Sequence, residues 1–260
     1  MSTMKSITSH VDMRDLYRNG SDRFDPLMTA YMVPFEEAFP DEDEREDRAT
    51  YEGYFADDQF DWHMLALLSD DGEVLGGIQY QFLKKGTVWV EHVWLAPAHR
   101  NYMNFRKLLR TGQDTWRAAG GKRVVMEFND RAKMTWDQLV ADASAGLPTE
   151  RRELLWSSLG IYILCDRFGN LPVYWQSGMP TTDANGQPVK GAPVKYLSLG
   201  FVSLEIGGNG KSVDMTGDTM TVQDYLDLCI EMHETIPGVD RETDEAIIHY
   251  RSELEAMMAA

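Results

Sequence analysis

The sequence lacks the cysteines and the long apolar runs that mark disulfide-built and membrane-spanning proteins. Its two cysteines, Cys165 and Cys229, lie far apart and form no metal-ligand motif. A disulfide framework is therefore excluded, and a reducing compartment is favoured. No stretch approaches the roughly 18 apolar residues that a spanning helix needs. Because residues 1–15 also lack the apolar segment of a signal peptide, we expect a cytoplasmic protein with no membrane partner.

Basic residues are also scarce. The chain carries 25 Lys and Arg against 42 Asp and Glu, which gives a net charge of −17. A nucleic acid is not expected as a partner, because a phosphate backbone requires a basic face. An acidic surface attracts a cationic substrate such as an amine, but a merely solvated acidic surface explains the same composition.

The first half of the chain alternates between helical and strand-like patterns, which predicts an α/β fold. Three apolar runs joined by short loops predict an antiparallel meander. A first short strand is expected at residues 4–8. Helices are predicted at 23–39, 42–56 and 100–119, and strands at 62–69, 74–83, 88–95 and 123–128.

The second half is predicted to be richer in helices. Glycine and proline divide it into helices at 131–144, 149–168, 221–235 and 241–258, and strands at 171–176 and 194–205 around a polar loop at 177–193. We expect one main domain over residues 1–206, with a helical insertion at 131–146. Residues 207–260 are expected to form a C-terminal helical extension.

The most informative stretch is a strand, a tight turn and a cationic helix. The strand at 88–95 is apolar apart from Glu91 and His92, and Pro97 ends it. A helix with a basic outer face then starts near Arg100. Its first turn presents free N–H groups and the positive end of the helix dipole. This arrangement favours an anion, typically a phosphate.

These residues resemble the GNAT superfamily of acyl-CoA N-acyltransferases over residues 62–129. The resemblance implies a mixed, mostly antiparallel central sheet flanked by helices. It also implies acetyl-CoA or another acyl-CoA as donor, held at an Arg/Gln-x-x-Gly-x-Gly/Ala turn. Here Arg100 fills the first position, whereas Met103 and Phe105 replace the glycines. The implied donor-binding residues are Val93, Trp94, Leu95, Arg100, Asn101, Tyr102, Met103, Asn104 and Phe105.

The same resemblance assigns catalytic roles. Glu91 stands where relatives place a general base, although a sheet glutamate paired with a basic neighbour is the structural alternative. Backbone N–H groups near Val93 and Leu95 are the implied oxyanion donors. Cys165 occupies the place of the usual tyrosine acid, so Tyr162 and Tyr174 are the substitutes. Strand alternation turns His92 to the face opposite Glu91 unless a bulge intervenes.

Three functions remain open at this point. The first is acyl transfer from acyl-CoA to the amine of a small molecule. The second is an N-acyl synthase supplied by an acyl carrier protein, and the third is a catalytically silent binding or assembly subunit, with a homodimer as one assembly. No metal is expected, because Glu91, His63, His92 and His99 match no known ligand spacing.

Overall fold

The computed structural model describes residues 5–40, 44–144, 148–158, 162–163, 173–177, 180–182, 188–190, 193–204, 221–236 and 239–259. The chain divides into two compact units, Met1–Val124 and Val125–Ala260. Among the described residues, no helix is both long enough and apolar enough to cross a membrane.

Unit 1 is built on four antiparallel strands in the order β1-β2-β3-β4. Three helices lie between β1 and β2 in the sequence, and a fourth follows β4. The strands are β1 (Ser9–Asp12), β2 (Trp62–Leu68), β3 (Val74–Leu83) and β4 (Thr87–Leu95). The helices are α1 (Met13–Arg18), α2 (Phe24–Ala38), α3 (Arg48–Ala56) and α4 (Tyr102–Ala118).

One face of this sheet is covered by α1, α2 and α3, and we call it the α1–α3 face. Alternate residues of β2 point to it, as a pleated strand requires. The core on this face is aromatic rather than aliphatic, and Trp94 of β4 joins it. Its buried members include Met28, Tyr31, Phe35, Tyr51, Phe55, Trp62, Met64 and Trp94.

The other face of the sheet packs against α4. A Cβ at Gly112 of α4 would lie 2.8 Å from a methyl carbon of Ile78, so the helix approaches β3 closely. The rings of Tyr80 and Trp116 meet edge to face, with centroids 5.6 Å apart. Leu108 and Trp116 are fully buried, which explains the apolar stripe of this helix.

A missing side chain in β3 sets how closely α2 sits on the sheet. A Cβ at Gly77 would lie 2.4 Å from the Tyr31 hydroxyl, closer than real contacts allow. That hydroxyl accepts a hydrogen bond of 2.9 Å from the Trp94 indole nitrogen. Gly77 therefore gives Tyr31 the space to reach across β3 to β4.

Unit 2 holds shorter elements. Its described strands are β5 (Arg123–Asn129, which begins at the end of unit 1), β6 (Tyr162–Ile163), β7 (Pro180–Thr182), β8 (Pro188–Lys190) and β9 (Leu197–Ser203). Strand β6 pairs antiparallel with β9, and β7 pairs antiparallel with β8. The helices are α5 (Trp136–Ser144), α6 (Thr149–Ser158), α7 (Val222–Glu234) and α8 (Glu245–Ala259).

The predicted fold class, a mixed and mostly antiparallel sheet flanked by helices, is confirmed. Several boundaries are wrong. The first strand lies at Ser9–Asp12 rather than 4–8, and α1 was not predicted. Helix α6 ends at Ser158, and the described residues 173–177 contain a single β-bridge instead of a strand. The predicted boundary at residue 206 lies within 205–220, outside the described residues, and stays a prediction.

Candidate active site

Strand β4 contains a β-bulge at Glu91. In its pairing with β3, Gln79 lies opposite His92 and Tyr80 lies opposite Val90, so Glu91 is the extra residue. A bulge places two consecutive side chains on one side of a strand. His92 contacts Phe35 of α2, and Glu91 contacts Trp62, so both side chains lie on the α1–α3 face. The opposite-face geometry expected from strict alternation is therefore wrong here.

The Glu91 carboxylate is held by two neutral donors. The indole nitrogen of Trp62 donates to one oxygen at 2.9 Å, and the side-chain amide of Gln81 donates to the other at 3.1 Å. The side chain of Glu91 is half-buried. These two contacts fix the direction of the carboxylate, which suits a group that must accept a proton.

An aromatic cluster surrounds this carboxylate. The ring of Tyr51 stacks on Trp62 at 5.1 Å, and the ring of Tyr54 meets Trp62 edge to face at 5.5 Å. Glu46 borders the same cluster, because its backbone N–H donates to the Tyr51 hydroxyl at 3.2 Å. Glu91 therefore lies in an apolar wall that carries a second carboxylate, and the sequence patterns did not indicate this pairing.

His92 lies between the rings of Phe35 and Phe39, with centroid distances of 5.4 and 4.8 Å. Its Nε2 donates to the Glu44 carbonyl at 2.8 Å. Burial lowers the pKa of His92 to about 4, so the ring is neutral at physiological pH. With the proton on Nε2, Nδ1 is an acceptor, and it is a buried atom with no hydrogen-bond partner among the described residues.

The turn before α4 uses its polar side chains internally. Arg100 Nε donates to the Leu95 carbonyl at 3.0 Å. Asn101 caps the helix by accepting from the Asn104 backbone N–H at 2.9 Å. The Asn104 amide is buried and donates to the carbonyls of His99 and Lys5. These bonds make a rigid turn, and they occupy atoms that the sequence assigned to phosphate contacts.

The two residues that stand in place of the family's glycines, Met103 and Phe105, differ in exposure. Met103 is 66% exposed and Tyr102 is 51% exposed, so both side chains extend into solvent. Phe105 is half-buried. No acidic residue stands in the first turn of α4, which keeps the positive end of its dipole available to an anion. The helix start thus retains the electrostatics of a donor site without the glycines.

Of the two tyrosines expected as proton donors, the structure describes the side chain of Tyr174 but not that of Tyr162. Tyr162 lies in β6, but its side chain is outside the described residues, as is Cys165. Tyr174 is buried, and its hydroxyl donates to Glu127 Oε1 at 2.5 Å. Gln176 donates to the other oxygen of Glu127 at 3.2 Å. The acid role of either tyrosine stays a prediction.

The two other histidines considered as metal ligands, His63 and His99, form hydrogen bonds. His63 lies 2.7 Å from Asp12 and 3.1 Å from Asp61, on opposite ring nitrogens. Burial lowers the pKa of His63, but the hydrogen bonds to these carboxylates outweigh it and raise the value to about 9. His99 is buried beside Lys5 and Glu73. Among the described residues no group of three His, Cys, Asp or Glu side chains is arranged to hold a metal.

Comparison with known proteins identifies the domain. Residues 24–136 match the model of the family described as "Acetyltransferase (GNAT) family". This segment contains α2 to α4, the bulge at Glu91 and the turn before α4. The chain therefore carries a domain of the GNAT acetyltransferase family, as the resemblance implied. A search of curated proteins gives no match.

Solved structures of acetyltransferases are similar to this chain at low identity. An aminoglycoside 6'-N-acetyltransferase from Enterococcus faecium is 13% identical, with 76% of this chain and 98% of that chain covered and a TM-score of 0.46. An aminoglycoside 6'-N-acetyltransferase complexed with coenzyme A is 14% identical, with the same coverage and TM-score. A GNAT-family acetyltransferase from Staphylococcus aureus Mu50 is 11% identical, covers 76% and 100%, and has a TM-score of 0.40.

Proposed function

We propose that the protein transfers an acyl group, acetyl in the first instance, from acyl-CoA to the amine of a small molecule. The observation that carries this proposal is the bulge in β4, which turns the Glu91 carboxylate onto the α1–α3 face between neutral donors. The match of residues 24–136 to an acetyltransferase family supports the reaction class.

In the proposed reaction, Glu91 takes a proton from the acceptor ammonium. The freed amine nitrogen attacks the carbonyl carbon of the thioester, and the carbon–sulfur bond then breaks to release a thiolate. The second proton lost by the attacking nitrogen goes to this thiolate, so that the products are an amide and a thiol. Backbone N–H groups at Val93 and Leu95 are the proposed oxyanion donors, which act where charge develops. The start of α4 and Arg100 are the proposed neighbours of the donor's pyrophosphate.

Substitution Glu91→Gln tests the base. We expect kcat to fall by about 10²-fold or more, the usual contribution of a positioned base, while the Kd for acetyl-CoA stays within about twofold. Turnover is measured as thiol release from acetyl-CoA over a panel of primary amines. Glu37→Gln is the matched control, because Glu37 is an exposed carboxylate of α2 in the same unit. Equal kcat in both variants would remove Glu91 from the mechanism.

A second donor, an acyl carrier protein, is favoured by one specific observation. The outer face of α4 exposes Arg106, Lys107 and Arg110, and within the described part of the chain these three cations form no ion pair. They continue the exposed apolar residues Tyr102 and Met103. A cationic surface with an apolar edge suits an acidic protein that delivers the thioester.

Donor competition separates the two candidates. If a carrier protein is the donor, the triple variant with Arg106, Lys107 and Arg110 each changed to Glu loses turnover with acylated carrier protein by about tenfold or more. The same variant keeps its melting temperature, and Arg151→Glu, an exposed cation of α6, serves as the control. Equal turnover with the carrier in wild type and triple variant would leave acyl-CoA as the donor.

A further inference from the structure

Glu46 is a half-buried carboxylate that no cationic side chain of the described residues neutralises. Within the described residues it forms no ion pair, although partly burying a charge without a counter-ion is costly. The preceding residue, Arg45, does not provide one, because its Nε donates to the Phe39 carbonyl and its Nη1 lies 3.9 Å from Glu36. Burial raises the pKa of Glu46, which reflects the same missing partner.

The aromatic cluster connects Glu46 with Glu91. The Glu46 backbone N–H bonds to the hydroxyl of Tyr51, the Tyr51 ring stacks on Trp62, and the Trp62 indole donates to Glu91. Tyr54 lies close to both carboxylates, with its hydroxyl 3.5 Å from Glu46 Oε1. Burial, together with the charges of Glu46 and Glu91, raises the pKa of Tyr54.

A further polar atom on this sheet face is without a partner. His92 follows Glu91 in the bulge, and its Nδ1 is buried and accepts no hydrogen bond from a described residue. Because its Nε2 is fixed on the Glu44 carbonyl, Nδ1 is available only as an acceptor. An acceptor that is unsatisfied among the described residues therefore follows Glu91 directly on this face of the sheet.

We infer that Glu46 is a specificity-determining residue that binds a second cationic group of the acceptor, so that the substrate class is diamines and longer polyamines. The inference rests on the proposed function for the role of Glu91, which serves the reacting nitrogen. Glu46 serves the other nitrogen. The half-buried ring of Tyr54, which lies close to both Glu46 and Glu91, is an apolar wall that favours a cation over a neutral group. A monoamine leaves Glu46 without a counter-ion.

Paired substrates test the inference. Diaminoalkanes of three to six carbons are compared with the n-alkylamines of the same length, with acetyl-CoA as donor. We expect wild-type kcat/KM to favour the best diamine by about tenfold or more. Glu46→Gln is expected to abolish this preference by raising the KM of the diamine at nearly constant kcat, and to leave the monoamine unchanged. The backbone bond from residue 46 to Tyr51 persists in this variant.

Glu37→Gln is again the control and is expected to keep the preference. Calorimetric titration of the diamine without donor provides an independent reading of the site. Diamine binding that is lost in Glu46→Gln supports the inference even if no amine is acetylated. Absence of acetylation would contradict only the proposed function. If wild type acetylates monoamines and diamines equally, or if Glu46→Gln changes both equally, the inference is overturned while acyl transfer stands. If wild type neither binds nor acetylates any diamine, it is overturned as well.

Discussion

Two strand glutamates, Glu91 in unit 1 and Glu127 in unit 2, have similar hydrogen-bond partners and different surroundings. Each accepts one hydrogen bond from a glutamine amide and one from an aromatic side chain, Trp62 for Glu91 and Tyr174 for Glu127. Hydrogen bonds alone therefore do not distinguish a candidate base from a structural carboxyl.

The surroundings make the distinction. Around Glu127 lie the buried phenols of Tyr174 and Tyr250 and the buried thiol of Cys229. Burial and the Glu127 charge raise the pKa of the Tyr250 hydroxyl and the pKa of the Cys229 thiol. Burial likewise raises the pKa of Glu127 to about 7. Glu91 instead sits at a bulge, and Tyr54, which is affected by its charge, also lies close to a second carboxylate, Glu46. A functional role is better inferred from an irregular backbone and a charge imbalance than from burial.

The largest expected difference between the two glutamates is in turnover. Glu91→Gln is expected to lower kcat by about 10²-fold or more. Glu127→Gln is expected to keep kcat within about threefold, because its contacts are those of a structural group. Steady-state kinetics with acetyl-CoA and one accepted amine measure both. A large loss in Glu127→Gln would mean that the Glu127–Tyr174 pair takes part in proton transfer.

The next difference concerns stability against pH. The unfolded chain loses the Glu127 proton near pH 4.5, whereas the folded chain keeps it until about pH 7. Since the unfolded state binds fewer protons in this window, this group lowers the free energy of unfolding as pH rises from about 4.5 to 7. The loss is on the order of 3 kcal/mol, and Glu127→Gln removes it.

Urea unfolding at pH 5, 6, 7 and 8 measures this effect. The gap between Glu127→Gln and wild type should widen in favour of the variant as pH rises. Glu150→Gln, an exposed carboxylate of α6 in the same unit, is the control and is expected to leave the pH dependence unchanged. Parallel pH curves for Glu127→Gln and wild type would contradict the assignment.

The smallest expected effect comes from removing one donor at each site. Trp62→Phe takes the indole donor from Glu91, and Tyr174→Phe takes the hydroxyl from Glu127. Each change is expected to cost at least about 1 kcal/mol of stability, the typical net value of one hydrogen bond. Trp62→Phe should also lower kcat, by several-fold, because it frees the direction of the Glu91 carboxylate, and Tyr174→Phe should do so only if Tyr174 is the predicted proton donor. Equal kcat losses in the two variants would erase the contrast between the sites.

Much of the central sheet was predictable because its signals are local. The apolar runs of β2, β3 and β4 and the turn at Gly72 predicted the meander, whereas Glu91 was proposed as the base from the resemblance to the GNAT superfamily. Helix α1 was missed because it has only six residues, which is too short for periodicity to be visible. Its Asp12 cap was the available signal.

The site itself depends on contacts that no local pattern contains. The bulge arises from the register between Gln79 and Tyr80 on one strand and residues 90–92 on the next, so alternation placed His92 on the wrong face. Glu46 lies in the helix predicted at 42–56, and that prediction contains no information on where its side chain lies. Its link to Glu91 runs through the packing of Tyr51 on Trp62, two residues from different elements.

The close approach of Tyr31 to Gly77 has a consequence for how this chain can vary. As long as position 31 holds a tyrosine, every residue other than glycine at position 77 collides with its hydroxyl. A smaller side chain at 31 would admit alanine at 77 but would leave the Trp94 indole without its acceptor. Homologous sequences are therefore expected to exchange these three positions together or not at all.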